Sequence, residues 1–284
     1  MTRTVYVNGE FVSEHEATVS VFDRAFLFAD GVYEVTSVID AKMIDNNAHL
    51  ARLERSCREL RMELPCSPED MEVIQRQLIE RNDLEEGVIY LQVTRGTADR
   101  DFKFPKDAKP TLVMFTQARA LIDDALAQRG LSVITVPDIR WKRRDIKTVG
   151  LLAASLAKQQ AVEEGADDAW MVEDGFITEG SSNNAYIVEA DGTIITRQLG
   201  SEILHGITRA AVLELCGRDN ISVVERPFSV DEAVAAKEAF ISSASAFISP
   251  VVRINDHPIG DGKPGPLVQR LREIYIEMAR SLAT

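Results

Sequence analysis

The spacing of apolar residues along the chain predicts short strands interspersed with amphipathic helices. Apolar and polar residues alternate over Thr4–Val12 and Gly31–Ile39, a pattern typical of strands. Asn8-Gly9 lies in the middle of the first segment and favours a tight hairpin, because both residues tolerate positive φ. A helical stripe of Leu50, Leu53, Cys57 and Leu60 follows the second segment, and we expect Asn46 or Asn47 to cap that helix.

The same reading covers the rest of the chain. Helices are predicted over 68–82, Leu151–Gly165, Ile207–Cys216 and Leu267–Leu282; Pro68 begins the first, and Gly165 and Gly217 end the second and third. Strands are predicted at Val88–Thr94, Thr111–Thr116, Leu131–Val136, Ala169–Val172, Ala185–Val188, Thr193–Thr196 and from Glu238 to Ile241.

This mixture of strands and isolated helices favours an α+β architecture rather than a doubly wound sheet. Residues 117–129 have no strong strand pattern and separate two sheets. We therefore expect a small α+β domain over residues 1–117, a linker over 118–128, and a larger cofactor-binding domain with a mixed sheet over 129–284.

Charge and composition exclude some partners. The net charge of −13 argues against nucleic acid and anionic membrane, since both need a basic surface. The three cysteines form no disulfide framework, and the four histidines lack the spacing of metal ligands, so no metal site is expected. The N-terminal residues have no long apolar region, and no apolar run approaches the ~20 residues of a membrane helix. These features favour a cytoplasmic protein.

Two residues attract attention for their chemistry. Lys147 lies between Ile146 and the apolar segment Val149–Leu152, and follows the basic run 142–144. Desolvation and nearby positive charge would both lower its pKa towards a nucleophilic range. Glu179 lies in a strand-to-turn segment beside glycine and small hydroxyls, where a carboxylate can be buried. A lysine can form a Schiff base with an aldehyde cofactor, and an acid can hold a pyridine nitrogen protonated. Taken singly, each is equally compatible with an ordinary surface charge.

Further segments could hold anions. Gly206–Arg209 supplies a glycine, a hydroxyl and the start of a helix, where backbone N–H groups favour phosphate. Small hydroxyl residues over 242–245 follow a predicted strand. The loop Thr94–Pro105 carries basic residues suited to a substrate carboxylate. Each segment also has a purely structural reading, as a chain break, a polar loop or a hairpin tip.

Together these segments resemble a known family. The resembling segments, in order, are Asp23-Arg24, Asp30–Val35, His49–Leu53, Gln92–Thr97, Asp138–Trp141, Asp145–Lys147, Leu156–Gln159, Thr178–Ser182, Gly206–Arg209 and Ser249–Val251. In this order and spacing they are similar to the fold-type IV (class IV) pyridoxal phosphate aminotransferases, and among these to the bacterial D-amino acid transaminases. The resemblance implies the fold-type IV architecture, two domains enclosing the cofactor, and a homodimer.

The resemblance implies a role for each matching residue. Lys147 matches the lysine that carries the cofactor and moves the proton between Cα and C4′, and Glu179 matches the acid at the pyridine nitrogen. The matching phosphate ligands are Arg52, Ile207, Thr208, Ser243 and Ala244, where Ala244 replaces a common hydroxyl and leaves only its N–H. Ser181 and Ser182 match small residues near the cofactor.

Substrate recognition departs from the family pattern. Tyr33 and Arg100 match two of three residues that bind the substrate carboxylate, but Phe102 stands where a histidine is expected. Ser37 also replaces a common lysine, and this pattern is similar to (R)-selective amine transaminases. The resemblance implies transfer of the amino group of a D-amino acid such as D-alanine to a 2-oxo acid such as 2-oxoglutarate. The alternatives are an (R)-amine transaminase, an aminodeoxychorismate lyase, a branched-chain L-amino acid transaminase, and a non-catalytic binding protein.

Overall fold

The computed structural model describes residues 2–284, which form two compact units. The first unit holds the chain up to Ala120 together with Ile146–Gly150 and Arg280–Thr284. The second holds Leu121–Asp145 and Leu151–Ala279. Two segments from far along the chain thus pack with the N-terminal unit. The domain division at residues 118–128 stays a prediction.

The first unit contains one antiparallel sheet and three helices. Its elements are β1 (Thr4–Val7), β2 (Glu10–Ser13), α1 (Arg24–Phe28), β3 (Gly31–Ile39), β4 (Lys42–Met43), α2 (Asn46–Glu59), α3 (Pro68–Arg81), β5 (Glu86–Thr94) and β6 (Thr111–Ala118). The strand order is β2-β1-β6-β5-β3-β4. The predicted hairpin is confirmed, since Asn8 and Gly9 have φ of 49° and 107° between paired strands.

The apolar stripes of α2 and α3 account for the core of this unit. Leu50 and Leu53 of α2 and Met71 of α3 are buried with Val32 and Leu91 of the sheet. Strands β3 and β5 pair along their whole length, which fixes the alternation of buried and exposed residues on β3. This central pair is the frame on which the first group of candidate site residues is built.

The predicted cap of α2 is wrong. The N-cap is Asp45, at a φ of 52° and without a side-chain cap hydrogen bond. The amide of Asn46 is buried instead, where it accepts from Thr36 at 3.2 Å and donates to Gln75 at 2.9 Å. These tertiary partners prevent the local capping that the sequence pattern favours, whereas Ser67 caps α3 through the N–H of Asp70.

The second unit contains a mixed sheet of nine strands with helices packed against it. Its elements are α4 (Ala125–Arg129), β7 (Leu131–Pro137), α5 (Leu152–Glu163), β8 (Asp168–Glu173), β9 (Phe176–Gly180), β10 (Asn184–Val188), β11 (Ile194–Thr196), α6 (Ile207–Arg218), β12 (Val223–Glu225), α7 (Val230–Val234), β13 (Glu238–Ser243), β14 (Phe247–Ile254), β15 (His257–Pro258) and α8 (Pro266–Leu282). The order is β12-β11-β10-β13-β14-β7-β8-β9, and β15 pairs with β14. Three neighbouring pairs are parallel, which makes the sheet mixed, as predicted.

Most predicted elements of this unit are confirmed within two or three residues. Gly165 follows α5 at a φ of 75°, as a glycine that ends a helix does. Gly217, however, lies inside α6, which continues to Arg218. The linker region also contains the single-turn helix α4, which begins at the cap residue Asp124. Within residues 2–284, the helices are all too short or too polar to cross a bilayer.

Candidate active site

Lys147 is held by main-chain hydrogen bonds beside the start of β3. The N–H of Tyr33 donates to the carbonyl of Lys147, and the N–H of Val149 donates to the carbonyl of Gly31, both at 3.0 Å. The short segment Ile146–Gly150 therefore runs alongside β3 as a strand would. The Nζ atom of Lys147 lies 4.3 Å from the centre of the Tyr33 ring, so the ring face supports the amine.

The predicted surroundings of Lys147 are only partly confirmed. Ile146 is buried at 4% exposure, but Leu152 is 74% exposed. The apolar frame expected around the lysine therefore consists of Ile146 and the ring of Tyr33 rather than the leucines that follow.

The basic run before Lys147 also differs from expectation. Lys142 pairs with Glu173, Arg143 with Asp145 at 2.9 Å, and Arg144 with Glu173 at 2.7 Å. Each of these cations has a carboxylate partner, so the run does not supply the net positive potential that the sequence predicted.

Arg52 belongs to a buried ionic network with Glu34 and His49. Its Nε and Nη2 atoms donate to the two carboxylate oxygens of Glu34 at 2.8 and 2.7 Å, and Nδ1 of His49 lies 2.7 Å from Glu34 Oε2. Burial raises the pKa of Glu34, but the charge and hydrogen bonds of Arg52 outweigh it and hold this pKa at about 2. Burial lowers the pKa of His49, which Glu34 opposes. Bidentate pairing thus fixes the guanidinium of Arg52.

Arg100 and Phe102 lie together on the loop after β5. The guanidinium carbon of Arg100 is 5.3 Å from the ring centre of Phe28 and 5.7 Å from that of Phe102, and the two rings are 5.5 Å apart. Both loop residues are exposed, Phe102 at 78%. Tyr33 stacks on Tyr90 at 5.5 Å, so the structure groups Tyr33 with Lys147 and groups Arg100 with Phe102. Ser37 is buried further along β3.

Glu179 lies on β9 in the second unit, and its carboxylate is buried, as predicted. Arg140 Nη1 donates to its Oε1 at 2.5 Å. Asn184 Nδ2 and the N–H of Leu204 each donate to Oε2 at 3.0 Å. Burial raises the pKa of Glu179, and the charge of Arg140 and the N–H of Leu204 oppose that rise. Three donors satisfy a carboxylate that is 3% exposed.

Arg140 connects Glu179 to a second buried carboxylate. It also donates to Asp138 at 2.7 and 3.0 Å, and Thr178 donates its hydroxyl to Asp138 at 2.7 Å. Burial lowers the pKa of Arg140, but its hydrogen bonds to Asp138 and the charge of Glu179 raise it overall. The segment Asp138–Trp141 was among the resembling segments, but its arginine was given no role. The one available signal was the spacing of Asp138 and Arg140, which suits a local ion pair.

Asn184 brings three parts of the second unit together. Its Nδ2 atom donates to Leu204 as well as to Glu179. A Cβ atom at Gly206 would lie 2.1 Å from Asn184 Oδ1, so only glycine fits there. Asn184 also stands opposite Ser242 in the pairing of β10 with β13. Glu179, the start of α6 and the end of β13 therefore converge on this asparagine.

The predicted phosphate ligands of this unit lie at the ends of α6 and β13. Ile207 and Thr208 form the first turn of α6, whose N-cap Gly206 makes no side-chain cap bond. N–H groups in a first turn have no acceptor within their helix, which makes the turn suited to an anion. Ser243 ends β13, and Ala244 begins the turn that follows.

Ser181 and Ser182 lie in the turn after β9. Ser181 donates its hydroxyl to the buried carboxylate of Asp168, which also accepts from Asn183 at 2.7 Å. Ser182 is exposed. The structure therefore gives Ser181 a fixed position one residue beyond the strand that carries Glu179.

Comparisons with known proteins agree with one another. Residues 31–254 match the family described as amino-transferase class IV. The chain is 40% identical to a D-alanine aminotransferase of Staphylococcus aureus (strain MSSA476) over 270 residues, 95% of each chain. It is 35% identical to a D-alanine aminotransferase of Bacillus licheniformis over 268 residues, 94% of each chain. A branched-chain amino acid aminotransferase of T.th., complexed with N-(5'-phosphopyridoxyl)-L-glutamate, superposes with a TM-score of 0.91 at 27% identity, over 99% of this chain and 95% of its own.

Proposed function

The chain belongs to the class IV aminotransferases, and from this premise we propose that it moves the amino group of D-alanine or a similar D-amino acid to a 2-oxo acid such as 2-oxoglutarate. Membership makes it a fold-type IV aminotransferase that depends on pyridoxal phosphate. The observation that carries the D-amino acid assignment is the full-length similarity to D-alanine aminotransferases from two genera.

The residues present fit the cofactor. A buried carboxylate at Glu179 suits the ring nitrogen, an amine at Lys147 suits the aldehyde, and the first turn of α6 suits the phosphate. When bound, pyridoxal phosphate supplies an aldehyde carbon that bonds the amino group and a ring that takes up the electrons left when the Cα proton departs.

In this proposal Lys147 would hold the cofactor through its aldehyde carbon, and its amine, once displaced by the amino donor, would transfer the proton between Cα and C4′. Its main chain is fixed beside Gly31 and Tyr33, and the Tyr33 ring lies beneath its Nζ. These contacts fix the main chain that carries the amine.

Glu179 accepts the hydrogen bond of the protonated ring nitrogen. Each carboxylate oxygen has two lone pairs, so the bonds from Arg140, Asn184 and Leu204 leave capacity for one more donor. These three donors favour the ionised form of Glu179, which is the form that keeps a ring nitrogen protonated.

The residues that would hold the phosphate are Arg52 in the first unit and, in the second, Ile207 and Thr208 of α6 and Ser243 and Ala244 after β13. Arg52 is oriented by Glu34, and Ala244 contributes its N–H alone. Ser181 and Ser182 lie near the cofactor as small residues.

The substrate carboxylate is bound by Tyr33 and Arg100, and Phe102 acts through Arg100. Phe28 and Phe102 offer ring faces to the guanidinium of Arg100, whose edge N–H groups stay available for a carboxylate. Phe102 stands where a histidine is expected. In this proposal Phe102 orients the guanidinium of Arg100 and does not bind the carboxylate itself.

We also propose that the enzyme is a cytoplasmic homodimer. In the first unit, Val19, Val21, Phe22 and Phe26 are between 51% and 74% exposed within eight residues of one another. Such a cluster of exposed apolar side chains marks an interface. The three cysteines are free thiols, which suits a reducing compartment.

The dimer can be tested with one charge substitution. Phe26→Glu places a carboxylate in the exposed apolar cluster and should shift the protein to monomers in light scattering after gel filtration. Val73→Glu, on a residue of α3 that is 54% exposed, is the control and should leave the mass unchanged. A Phe26→Glu protein that keeps the wild-type mass would argue against this interface.

The cofactor assignment is tested by absorbance. The purified protein should show the visible band of bound pyridoxal phosphate, and Lys147→Ala should abolish the band and the activity. Lys237→Ala, on an exposed lysine just before β13, should leave both unchanged. A band that persists in Lys147→Ala would show that another amine holds the cofactor.

The substrate is tested with a stereospecific panel of D- and L-alanine, D-glutamate and both enantiomers of 1-phenylethylamine, each with 2-oxoglutarate or pyruvate. We expect D-alanine to be the best donor. Activity with L-alanine and none with D-alanine would contradict the proposal, and pyruvate release from aminodeoxychorismate would favour the lyase.

Arg100→Ala should raise KM for D-alanine at least tenfold more than KM for (R)-1-phenylethylamine, roughly the loss of one charge-assisted bond.

A further inference from the structure

The turn between β13 and β14 is strained at one bulky residue. Phe247 has a φ of 53°, in the left-handed region, and its side chain is fully buried. Short hairpin loops often place a residue in this conformation, but that residue is normally glycine. A phenylalanine keeps such a conformation only where the surrounding structure imposes it, and strain of this kind clusters at functional sites.

Arg272 of α8 is the side chain that imposes it. Its Nη1 atom donates to the carbonyls of Ala246 at 3.0 Å and Ile248 at 2.8 Å, on either side of Phe247. Its Nη2 atom donates to the carbonyls of Leu121 at 2.6 Å and Ile122 at 3.0 Å. One guanidinium therefore ties the turn to the segment that precedes α4.

A second residue of α8 reinforces the arrangement. Tyr275, one turn beyond Arg272, is buried with its ring centre 5.4 Å from that of Phe247. The hydroxyl of Ser249 also donates to the carbonyl of Ala246 at 2.8 Å. The carbonyls of Ala246 and Ile248 both lie within hydrogen-bond distance of one nitrogen of Arg272, so these bonds stabilise the bend of the chain at Phe247.

The same turn begins with the two residues assigned to the phosphate. Ser243 stands opposite Phe247 in the β13–β14 pairing, and the N–H of Ala246 donates back to the carbonyl of Ser243 at 3.4 Å. Only Ala244 and Ser245 separate Ser243 from Ala246. A change in the bend at Phe247 would therefore redirect the hydroxyl of Ser243 and the N–H of Ala244.

We propose that Arg272 is a positioning residue for phosphate binding, which holds the turn from Ser243 to Phe247 in the shape that presents two donors to the phosphate of the cofactor. This inference rests on the proposed role of Ser243 and Ala244. Arg272 touches neither cofactor nor substrate; it acts through the main chain of the turn.

The test compares ligands with and without a phosphate. Full-length protein freed of cofactor is titrated with pyridoxal phosphate and with pyridoxal, and the visible band gives both affinities. In Arg272→Met we expect the preference for pyridoxal phosphate over pyridoxal to fall roughly tenfold, the equivalent of one strong hydrogen bond, while the affinity for pyridoxal changes less than about twofold. Arg272→Lys keeps the positive charge but lacks the planar set of guanidinium N–H donors. Its preference should therefore lie between those of the wild type and Arg272→Met.

Arg270 provides a matched control on the same helix. Its side chain is 65% exposed and pairs with Asp219 at 3.1 Å, so Arg270→Met should leave the preference unchanged. If Arg272 had only a structural role, Arg272→Met would lower the affinities for pyridoxal phosphate and pyridoxal by the same factor. That result would overturn the inference. The inference would also be overturned if Arg272→Met kept the wild-type preference for pyridoxal phosphate. If Arg272→Met fails to fold, an unchanged preference in Arg272→Lys would overturn it. Failure of the proposed function would look different, because it would appear in the substrate panel, as activity without D-alanine, and would leave the preference of the wild-type protein for pyridoxal phosphate in place.

Discussion

Arg140 is the residue that decides the electrostatics around Glu179. Its guanidinium lies between two buried carboxylates, Glu179 and Asp138, and is itself only 15% exposed. Without this cation, two negative charges would remain in a region with little water. A buried ion pair contributes modestly to stability when intact, but the loss of one partner is costly because the other charge stays buried.

Replacing Arg140 should therefore affect both folding and catalysis. We expect Arg140→Met to lower the free energy of unfolding by about 3 kcal/mol, measured by urea unfolding. The pKa of Glu179 should rise further, so that the acid becomes protonated and no longer holds the ring nitrogen charged. At neutral pH, kcat should fall at least tenfold.

Arg143→Met is the control, because the guanidinium of Arg143 is 44% exposed beside Asp145. It should change stability by less than about 1 kcal/mol, as is usual for exposed pairs. If Arg140→Met kept the wild-type kcat, Arg140 would have no influence on the charge of Glu179.

At the scale of single residues, the sequence predicts the candidate site residues but does not reveal which side chains hydrogen-bond to them. Lys147 and Glu179 stand out as an amine and an acid in apolar segments, and the resemblance of the surrounding segments to a known family gives them their predicted roles. Arg140 and Asn184 act on Glu179, and Glu34 acts on Arg52, only because the fold brings them together across 5 to 39 residues. Charge patterns along the chain do not contain that proximity, which is also why the paired state of the basic run 142–144 was not foreseen.

The segment Ile146–Gly150 is the element that carries Lys147, the amine proposed to react with the cofactor. It is too short to be a strand of its own, and two main-chain hydrogen bonds fix it beside β3. The position of Lys147 therefore depends on backbone contacts of its neighbours rather than on its own side chain.

Removing one of these backbone bonds should displace the lysine. Val149→Pro deletes the N–H that donates to Gly31 and should reduce kcat about tenfold or more, since small displacements at a reacting group are costly. The free energy of unfolding should fall by only about 1 kcal/mol, the value of one hydrogen bond. Steady-state kinetics and urea unfolding measure the two quantities.

Gly150→Ala is the matched control. Its added Cβ would lie 3.6 Å from the nearest atom, Thr148 Oγ1, which is an ordinary contact. This variant should keep the wild-type kcat. Equal kinetics for Val149→Pro and the wild type would mean that the pairing with β3 does not position Lys147.

The predictability of elements follows their length. Strands such as β3 and helices such as α3 and α8 repeat their apolar pattern over several turns or alternations, and were predicted nearly to the residue. The single-turn helices α1, α4 and α7 contain too few residues for a period and were missed. The strand β14 was missed because it is buried throughout most of its length and shows no alternation.

At the scale of the whole molecule, the buried carboxylate of Glu34 makes the fold sensitive to acid. The folded state holds the pKa of Glu34 at about 2, compared with an ordinary value of 4.5. A carboxyl whose folded pKa is depressed stabilises the fold above its unfolded pKa and loses that contribution as the pH falls through the folded value. The window for Glu34 is therefore from pH 4.5 down to about 2.

We expect Glu34 to account for about 3 kcal/mol of the stability lost across that window. Urea unfolding at pH 5 and pH 3 should show a smaller difference in Glu34→Gln than in the wild type. Glu72→Gln, which removes an exposed partner of Arg76, should keep the wild-type difference. The same pH dependence in all three proteins would contradict the assigned role of Glu34.

The return of Ile146–Gly150 to the first unit has a consequence for biosynthesis. On the ribosome, β3 is complete about 110 residues before Lys147 is made. At a synthesis rate of roughly 5–20 residues per second, the time between the synthesis of β3 and that of the segment that pairs with it is on the order of 5–20 s. During that interval one side of β3 is uncovered, and no lysine stands beside Tyr33. With the role proposed for Lys147, cofactor attachment is a late event in the maturation of this chain, because nascent chains that stop before residue 146 lack the amine.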